Sequence, residues 1–361
     1  MQTVTDIKMS QRVMDEKFMR RCIQLAKNGL GTTAPNPMVG AVIVHNNLII
    51  GEGYTSPFGG AHAEVNAIAS VTRKEVLPQS TLYVSLEPCS HFGKTPPCAD
   101  MITDHNMQRV VVGLLDPHEK VAGKGIQKLK DAGCTVLVGV LEKECREHHK
   151  RFLMFHNKKR PYIILKWAET ADGFIAPEKQ LRNTEPQPYW ITGGLARQIV
   201  HKWRSEEQAI LVGTTTVLED NPKLDVRLWS GKSPIRVVID KNLKVPLTYH
   251  VLDKKQKTIV FTSVKDTSKY VDGIDYIVLD ELQHNAEAIC SQLYLLNIQS
   301  ILIEGGTSTL QSFIDKNLWN EARIFKGPSI FKTGIKAPSI NGTKVTSKKI
   351  DQDDLIILQH D

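Results

Sequence analysis

The sequence has few of the features that mark membrane, secreted or nucleic-acid-binding proteins. No apolar run approaches the ~20 residues of a membrane-spanning helix, and the polar start from Met1 to Gln11 lacks a signal peptide's hydrophobic segment. The six cysteines, spread from Cys22 to Cys290, do not resemble a disulfide framework. Aromatic residues make up only 6% of the chain, and the basic residues behind the net charge of +7 are dispersed. We therefore expect a cytoplasmic protein with reduced thiols and no membrane or nucleic-acid partner, whose charge suits a small anionic ligand.

The length of 361 residues, with 41% hydrophobic and 24% charged residues, predicts a globular chain of two domains. Residues 1–14 are predicted to be a flexible leader, and Met14 is an alternative start to Met1. The charged stretch 142–159 ends at Arg160-Pro161, and we place the domain boundary there. The two domains are then residues 15–157 and 158–361.

Strands and helices alternate in both predicted domains, which indicates α/β folds. In the first domain a helix is predicted over Asp15–Lys27, followed by a hairpin that turns at Asn46-Asn47. The predicted strands lie at Met38–Val44, Leu48–Tyr54, Thr81–Leu86, Arg109–Leu114 and Thr135–Val138. An opening hairpin followed by alternating strands and helices predicts a mixed sheet that is covered on both faces.

A histidine and two cysteines in the first domain have the order and neighbours of a catalytic zinc site. His62 is followed two residues later by Glu64, and Pro88-Cys89 is followed by Cys98. Three protein ligands leave the fourth position of a tetrahedral zinc open for a water, whose pKa the metal lowers toward neutrality. Glu64 is suited to carry protons, and H-x-E followed by P-C and a second cysteine is typical of zinc-dependent nucleobase deaminases. Each residue alone is more often an ordinary core residue, but together they predict a zinc site.

The spacing of the two cysteines departs from the common C-x-x-C form, because Ser90 to Pro97 lie between them. A loop that folds back still brings both sulfurs to one metal. Pro96-Pro97 predicts that Cys98 begins the next helix, where the positive helix end favours a thiolate.

Two glycine turns between a strand and a helix are the informative stretches of the second domain. Gly305-Gly306 follows an apolar strand that begins at Ser300, and Gly213 follows the predicted strand Ala209–Val212. Glycine lets the backbone approach a ligand closely, and a helix N-terminus offers free N–H groups to a phosphate. Neither turn is a G-x-G-x-x-G fingerprint, and either one alone is more often structural. The presence of both in one α/β domain favours a dinucleotide site.

From about Asp15 to the C-terminus, the chain resembles the bifunctional riboflavin-biosynthesis deaminase/reductase family. The matching segments are 34–40 (APNPMVG), 62–64 (HAE), 86–98 (LEPCSHFGKTPPC), 172–173 (DG), 190–192 (WIT), 213–222 (GTTTVLEDNP) and 303–306 (IEGG). The long insertion between the cysteines is this family's own form.

The resemblance implies two successive reactions in two α/β domains. The N-terminal domain would be cytidine-deaminase-like and would use zinc to deaminate a diaminopyrimidinone that carries a phosphoribosylamino group. The C-terminal domain, similar in fold to dihydrofolate reductase, would use NADPH to reduce the ribosyl group to a ribityl group. Relatives of this kind form homo-oligomers, so a homo-oligomer acting on a small phosphorylated pyrimidine is expected.

The resemblance also carries residue roles onto this sequence, with Glu64 as the catalytic residue and His62, Cys89 and Cys98 as the metal ligands. The implied substrate contacts are Asn36, His91, Lys94, Arg204, Leu224, Arg227 and Glu304. The implied NADPH contacts are Ala168, Trp190, Thr216, Asp220, Gly306, Thr307, Ser308 and Thr309. Arg204 and Arg227 are suited to clamp a phosphate, while Glu304 either assists proton transfer or only anchors the substrate.

Two positions depart from the family pattern, and two other functions compete with this interpretation. The loop between Gly173 and Trp190 looks longer than usual. Pro188 stands where a serine often contacts the substrate, and Lys241 stands where a serine near the cofactor is more typical.

A nucleic-acid base deaminase with a C-terminal binding module would need a basic groove with stacking aromatics. A non-enzymatic sensor with structural zinc would need a fourth protein ligand on the metal and leaves Glu64 unexplained.

Overall fold

The computed structural model describes residues 4–90, 92, 96–117, 122–182, 185–281 and 285–360. The chain divides into two units, Met1–Lys158 and Lys159–Asp361. Both units are α/β, as the sequence predicts. Within the described residues, no helix combines the length and the apolar character that crossing a bilayer requires.

The first unit is built on a mixed sheet with the strand order β2-β1-β3-β4-β5. In chain order its elements are α1 (Val4–Ala26), β1 (Gly40–His45), β2 (Leu48–Tyr54), α2 (Ala63–Ser70), β3 (Thr81–Val84), α3 (Cys98–Asp104), β4 (Arg109–Val112), α4 (Lys124–Asp131), β5 (Thr135–Val138), α5 (Glu142–His148) and α6 (Lys150–Lys158). The predicted hairpin is confirmed: β1 and β2 are antiparallel, and Asn46 and Asn47 both have the positive φ that a tight hairpin turn requires. β3, β4 and β5 are parallel, and β1 runs antiparallel to β3. The start of β1 therefore shares one sheet edge with the ends of β2 and β3.

Helix α1 begins at Val4, so the predicted start at Asp15 is wrong. The side chains of Gln11 and Asp15 (3.0 Å) and of Arg12 and Glu16 (3.1 Å) form pairs four residues apart, which stabilise a helix. Residues 4–14 contain no glycine or proline. Met9 and Val13 are exposed, and the described buried apolar residues of α1 begin at Phe18, so hydrophobic periodicity does not detect the part of the helix before Asp15. Flexibility of residues 1–14 stays a prediction.

The second unit carries a longer sheet with the strand order β11-β10-β9-β8-β12-β6-β13-β16-β15 over the described part of the chain. Its elements are β6 (Tyr162–Glu169), β7 (Phe174–Ala176), α7 (Gly194–Glu206), β8 (Ala209–Gly213), α8 (Thr214–Asp220), β9 (Ile235–Ile239), β10 (Thr258–Thr262), β11 (Asp275–Val278), α9 (Ala286–Leu295), β12 (Ser300–Gly305), α10 (Thr307–Asp315), β13 (Glu321–Lys326), β14 (Ile335–Lys336), β15 (Thr343–Ile350) and β16 (Asp353–Gln359). The strands from β11 to β13 in this order are parallel, and β16 and β15 are antiparallel additions.

The connections of this sheet reverse direction between β8 and β12. After β8 the chain moves outward to β9, whereas after β12 it crosses β6 to reach β13. In open α/β sheets, such a switch point opens a crevice at the carboxyl ends of the strands, and ligands bind there. The fold therefore places a binding crevice beside the two glycine turns, which follow β8 and β12.

Candidate metal centre and reductase cavity

Three separate elements of the first unit bring the predicted zinc ligands to one edge of the sheet. His62 is the residue before α2 and has extended backbone angles (φ −72°, ψ 164°), so its side chain is not constrained to the helix surface. Cys89 follows β3, and Cys98 is the first residue of α3, as Pro96-Pro97 predicts. The Cys98 N–H donates to Cys89 Sγ at 3.3 Å, and the Ala99 N–H donates to the Cys89 carbonyl at 3.1 Å. These hydrogen bonds hold the two ends of the insertion together.

The ligand atoms have the separations of a tetrahedral zinc site. His62 Nδ1 lies 3.6 Å from Cys89 Sγ and 3.4 Å from Cys98 Sγ, and all the ligand atoms lie within 4.8 Å of one another. Bond lengths of about 2.3 Å to sulfur and about 2.1 Å to nitrogen at the tetrahedral angle separate the two atoms by roughly 3.6 Å. The donor set of one imidazole and two thiols therefore fits zinc. Among the described residues no fourth ligand joins this group, which is the ligand count of a catalytic site.

Glu64 lies in the first turn of α2, directly beside this centre. Its side chain is buried, and its carboxyl group interacts with the Cys98 sulfur. Burial and the nearby Cys89 thiolate raise the pKa of Glu64 to about 7. The hydrogen bonds that Cys98 and His62 make to the Cys89 sulfur lower the pKa of that thiol to about 4, so it is a ready metal ligand. A buried carboxyl group next to the metal ligands is placed to exchange protons with whatever occupies the open position.

Glu87, which the sequence interpretation did not single out, fixes the segment that carries Cys89. Within the described residues, its buried carboxylate accepts four backbone hydrogen bonds from the residues that lead into and begin α4. The donors are the N–H groups of Asp116 (3.3 Å), Gly123 (2.9 Å), Gly125 (3.0 Å) and Ile126 (3.3 Å). Glycine is required at position 125, because a Cβ atom there would lie 2.0 Å from the Pro88 carbonyl oxygen. The acidic residue two positions before a ligand cysteine is the sequence signal that could have revealed this role.

Replacing Glu87 with alanine is expected to destabilise the first unit by about 1–3 kcal/mol, since the buried N–H groups lose their acceptor. Zinc affinity should fall with it, because the same carboxylate positions the Cys89 segment. Denaturant unfolding and zinc titration measure the two effects. Glu75→Ala, which removes an exposed carboxylate paired with Arg73, is the control. Equal zinc affinity in Glu87→Ala and wild type would show that Glu87 does not position the ligand.

The remaining predicted contacts of this site are less fully described. Asn36 is half-buried in the turn before β1, at the sheet edge where β2 and β3 end. Its backbone N–H donates to the Thr33 carbonyl at 2.9 Å, which stabilises this turn. His91 and Lys94 lie outside the described residues. The roles of all three stay predictions.

A cavity of about 510 Å³ opens at the switch point of the second unit, within the size range of small-molecule sites. It lies where β6, β8, β9 and β12 end. The predicted residues that line it are Ala168, Thr216, Asp220, Glu304, Gly306, Thr307, Ser308 and Thr309. Pro188 and Lys241, the two departures from the family pattern, line it as well. Trp190, Arg204, Leu224 and Arg227 are not among the residues lining this cavity, although both neighbours of Trp190 are.

Each of the two glycine turns packs against the helix that follows the other turn. A Cβ atom on Gly213 would lie 2.4 Å from Thr309 Oγ1, and one on Gly305 would lie 2.9 Å from Thr216 Oγ1. Glycine at both positions thus brings the turn after β8 against α10 and the turn after β12 against α8. Burial raises the pKa of Asp220, at the end of α8, to about 6. The hydroxyls and the N–H groups at the start of α10 give the cavity a polar wall for a phosphorylated cofactor.

Arg204 and Glu304 form a bidentate ion pair beside this cavity. Arg204 Nε and Nη2 each lie 2.7 Å from a Glu304 carboxylate oxygen, and Lys166 Nζ lies 3.6 Å from the same carboxylate. The side chains of Arg204 and Glu304 are only 11% and 8% exposed. Although burial raises the pKa of Glu304, the charges of Arg204 and Lys166 lower it further, to about 2. Glu304 is therefore ionised, which favours anchoring over proton donation, and Lys166 is a member of the network that the sequence did not identify.

The other predicted contacts lie near this ion pair. The Arg204 guanidinium also donates to the Asp225 carbonyl at 3.1 Å, which links α7 to the loop that contains Leu224 and Arg227. Leu224 is buried, whereas the Arg227 side chain is half-exposed and pairs with Asp225. Trp190 is half-exposed, and the Arg197 guanidinium lies 4.7 Å from its ring centre.

Fold and sites together define a two-unit enzyme in which a zinc-dependent deaminase precedes a reductase. Residues 12–114 match the zinc-binding region of cytidine and deoxycytidylate deaminases, and residues 161–353 match the RibD C-terminal domain. The riboflavin biosynthesis protein RibD of Aquifex aeolicus is 37% identical over 359 residues, which cover 96% of this chain and 98% of that protein. RibD of Bacillus amyloliquefaciens is 39% identical over 334 residues, 91% of this chain and 88% of that protein.

Solved structures agree with this assignment. A Thermotoga maritima diaminohydroxyphosphoribosylaminopyrimidine deaminase/5-amino-6-(5-phosphoribosylamino)uracil reductase superimposes with a TM-score of 0.87 at 36% identity, covering 97% of this chain and all of that one. Acinetobacter baumannii RibD gives a TM-score of 0.86 at 30% identity, covering 96% of this chain and 99% of that one. The chain belongs to the RibD family of bifunctional riboflavin-biosynthesis deaminase/reductases. Its cofactors are those predicted from the sequence, zinc for the first unit and NADPH for the second.

Proposed function

We propose that the first unit removes an amino group hydrolytically from 2,5-diamino-6-(5-phosphoribosylamino)pyrimidin-4(3H)-one and that the second unit then reduces the ribosyl group to give 5-amino-6-(5-phosphoribitylamino)uracil. The observation that carries the proposal is the convergence of His62, Cys89 and Cys98 with a buried Glu64 in a chain that also holds the cavity at the β8/β12 switch point. The name of the Thermotoga maritima relative states the same two activities for that protein.

In the deamination, the residues of the first unit bind the pyrimidine and move protons. Zinc held by His62, Cys89 and Cys98 would lower the pKa of a water and so supply the nucleophile. Glu64, the buried acid in contact with the ligand set, would take one proton from the attacking water and pass it to the ring nitrogen beside the attacked carbon. It would then take the hydroxyl proton of the adduct and deliver it to the leaving amino group, which departs as ammonia while the carbonyl forms. Asn36 binds the pyrimidine from the same sheet edge, and we assign contact with the substrate phosphate to His91 or Lys94.

In the reduction, the residues of the second unit hold the cofactor and the substrate in the orientation that hydride transfer requires. Gly306, Thr307, Ser308 and Thr309 begin α10 and offer N–H and hydroxyl groups to the phosphates of NADPH, while Ala168, Trp190, Thr216 and Asp220 complete the cofactor contacts. This assignment is supported by the position of the turn at the switch point and by the packing of Thr216 and Thr309 against the two glycine turns.

The ionised Glu304 anchors the substrate from the strand end, and Arg204 and Lys166 hold it in place. Arg227 contacts the substrate phosphate with its half-exposed guanidinium, and buried Leu224 shapes the wall behind it. Two donors of Arg204 are already bound to Glu304, so we assign Arg204 chiefly to positioning this carboxylate rather than to clamping the phosphate.

We also propose that the enzyme works in the cytoplasm as a homo-oligomer and acts on a small molecule without a nucleic-acid partner. All six cysteines lie within the described residues and none is in a disulfide, which suits a reducing compartment. Light scattering on the purified protein tests the oligomer, and a monomer at working concentration would contradict it.

The decisive experiment supplies the zinc-loaded full-length protein with the diaminopyrimidinone phosphoriboside and follows ammonia release and NADPH absorbance separately. Both signals are expected. The absence of ammonia from a zinc-replete enzyme would overturn the substrate assignment. Ammonia without NADPH consumption would instead mean that the second unit does not reduce this product.

Removing zinc with a chelator should abolish ammonia release and leave the reduction of already deaminated substrate unchanged, because the ligand set lies entirely within the first unit. Adding zinc back should restore ammonia release. A parallel loss of both activities on chelation would contradict the assignment of zinc to the deamination alone.

A further inference from the structure

The carboxyl end of β9 presents an acid followed by a lysine, and the two face different surroundings. Asp240 is 2% exposed, and its carboxylate accepts the N–H groups of Lys244 (2.9 Å) and Val245 (2.8 Å). The Thr214 hydroxyl lies 3.3 Å from the same carboxylate. These hydrogen bonds occupy both carboxylate oxygens of Asp240 and hold the loop after β9 in place.

This arrangement bears on how a dinucleotide is recognised. In α/β dinucleotide sites, an acid near the end of the strand beside the phosphate-binding turn commonly binds the ribose hydroxyls of NAD, whereas a basic residue accommodates the extra phosphate of NADP. β9 is the strand beside β8, whose glycine turn lines the cavity. Because Asp240 is buried and bonded to its own loop, it is not available to a ribose.

Lys241, the next residue, lines the cavity. Its backbone carbonyl accepts the Ser263 N–H (2.9 Å) and the Thr262 hydroxyl (3.0 Å), which hold the main chain in place. The Lys241 side chain is 41% exposed, and its ammonium lies 3.8 Å from Glu281, which is itself 80% exposed. Such an exposed ion pair is weak and is readily exchanged for a phosphate dianion.

Among the described residues, the other cationic side chains that line the cavity already form ion pairs with carboxylates. Lys166 lies against buried Glu304, and Arg182 lies 3.1 Å from Glu219. Two anionic ligands compete for Lys241, since NADPH and the substrate each carry a phosphate monoester. Position separates them: Arg227, to which we assign the substrate phosphate, does not line this cavity, whereas Lys241 lines it together with the α10 turn assigned to NADPH. The phosphate near β9 is therefore that of the cofactor.

We propose that Lys241 binds the phosphate monoester on the adenosine ribose of NADPH and makes the reductase select NADPH over NADH. The proposal rests on the proposed reductase function.

The test compares full-length wild type, Lys241→Ala and Lys241→Arg, with Lys265→Ala as the matched control. Lys265 follows the next strand, β10, and is 76% exposed in a pair with Asp280, so it has the same charge without lining the cavity. Calorimetric titration with 2′,5′-ADP and with 5′-AMP measures recognition of the ribose phosphate directly. Steady-state kinetics with deaminated substrate give KM for NADPH, NADH and the substrate.

Lys241→Ala is expected to weaken 2′,5′-ADP binding and raise KM for NADPH by roughly 10- to 100-fold, the effect of losing a charge-assisted hydrogen bond. Binding of 5′-AMP and KM for NADH should be unchanged, and Lys241→Arg should retain most of the preference. Equal effects on NADPH and NADH, or none, would overturn the proposal. A raised substrate KM with NADPH unaffected would overturn it in favour of the substrate phosphate. If wild type oxidises neither nucleotide, the reductase function fails, and the 2′,5′-ADP titration still tests Lys241.

Discussion

Replacing Glu64 with glutamine is expected to lower ammonia release by roughly 10²- to 10⁴-fold, the usual contribution of a positioned acid–base group. Glutamine keeps the size of the side chain but cannot accept and return a proton. Glu64 is buried against the Cys98 sulfur, and no bulk water reaches it easily to take over the transfer. Reduction of already deaminated substrate by NADPH should proceed at the wild-type rate, because that reaction belongs to the other unit.

The interpretation depends on an intact metal centre, so zinc content is measured on the same samples. Glu64→Gln should bind one zinc per chain like wild type, since the ligands are His62, Cys89 and Cys98. Glu75→Gln, an exposed glutamate in the same unit, should keep full ammonia release. A zinc-replete Glu64→Gln enzyme that still releases ammonia at the wild-type rate would remove Glu64 from the chemistry.

The metal centre was predictable because few other kinds of site combine these residue types in this order. A histidine, a glutamate two residues on and two cysteines in order are enough to indicate the reaction class. What the pattern does not contain is the hydrogen bonding that assembles the centre. Glu87 accepts N–H groups that lie 29 to 39 residues away in the sequence, and every residue except proline offers such a donor.

In the second unit, the buried parallel strands were predictable and the C-terminal strands were not. β6, β8, β9 and β12 are apolar runs with clear turns, whereas β15 is mostly exposed and rich in lysine, so it shows no apolar alternation. The pairing of Arg204 with Glu304 was missed for a related reason. The two residues are 100 positions apart, and an arginine near a predicted phosphate site is interpreted as a phosphate ligand unless its partner is known.

That ion pair leads to the second large effect: replacing Glu304 with glutamine is expected to destabilise the second unit by about 3–5 kcal/mol and to abolish reduction. The amide leaves the buried cations Arg204 and Lys166 without the carboxylate that they pair with, which costs far more than the loss of a surface pair. Glu287→Gln is the matched control, because Glu287 pairs with Lys316 at 3.0 Å on the exposed surface of the same unit. It should cost no more than about 1 kcal/mol. Ammonia release should survive in both variants.

The pH dependence of the difference in unfolding free energy between wild type and Glu304→Gln tests whether the charge of the carboxylate causes that difference. The pKa of Glu304 is lowered from 4.5 to about 2, so the folded state holds the proton less tightly than the unfolded state does. Its contribution is therefore fully present above pH 4.5 and is lost as the pH falls toward 2. Denaturant unfolding across this range should show a constant gap between wild type and Glu304→Gln at neutral pH that narrows in acid. If the stability difference were the same at every pH, the loss of stability in Glu304→Gln would come from altered packing and not from the lost charge. Glu304 would then be a packing residue instead of the anionic anchor.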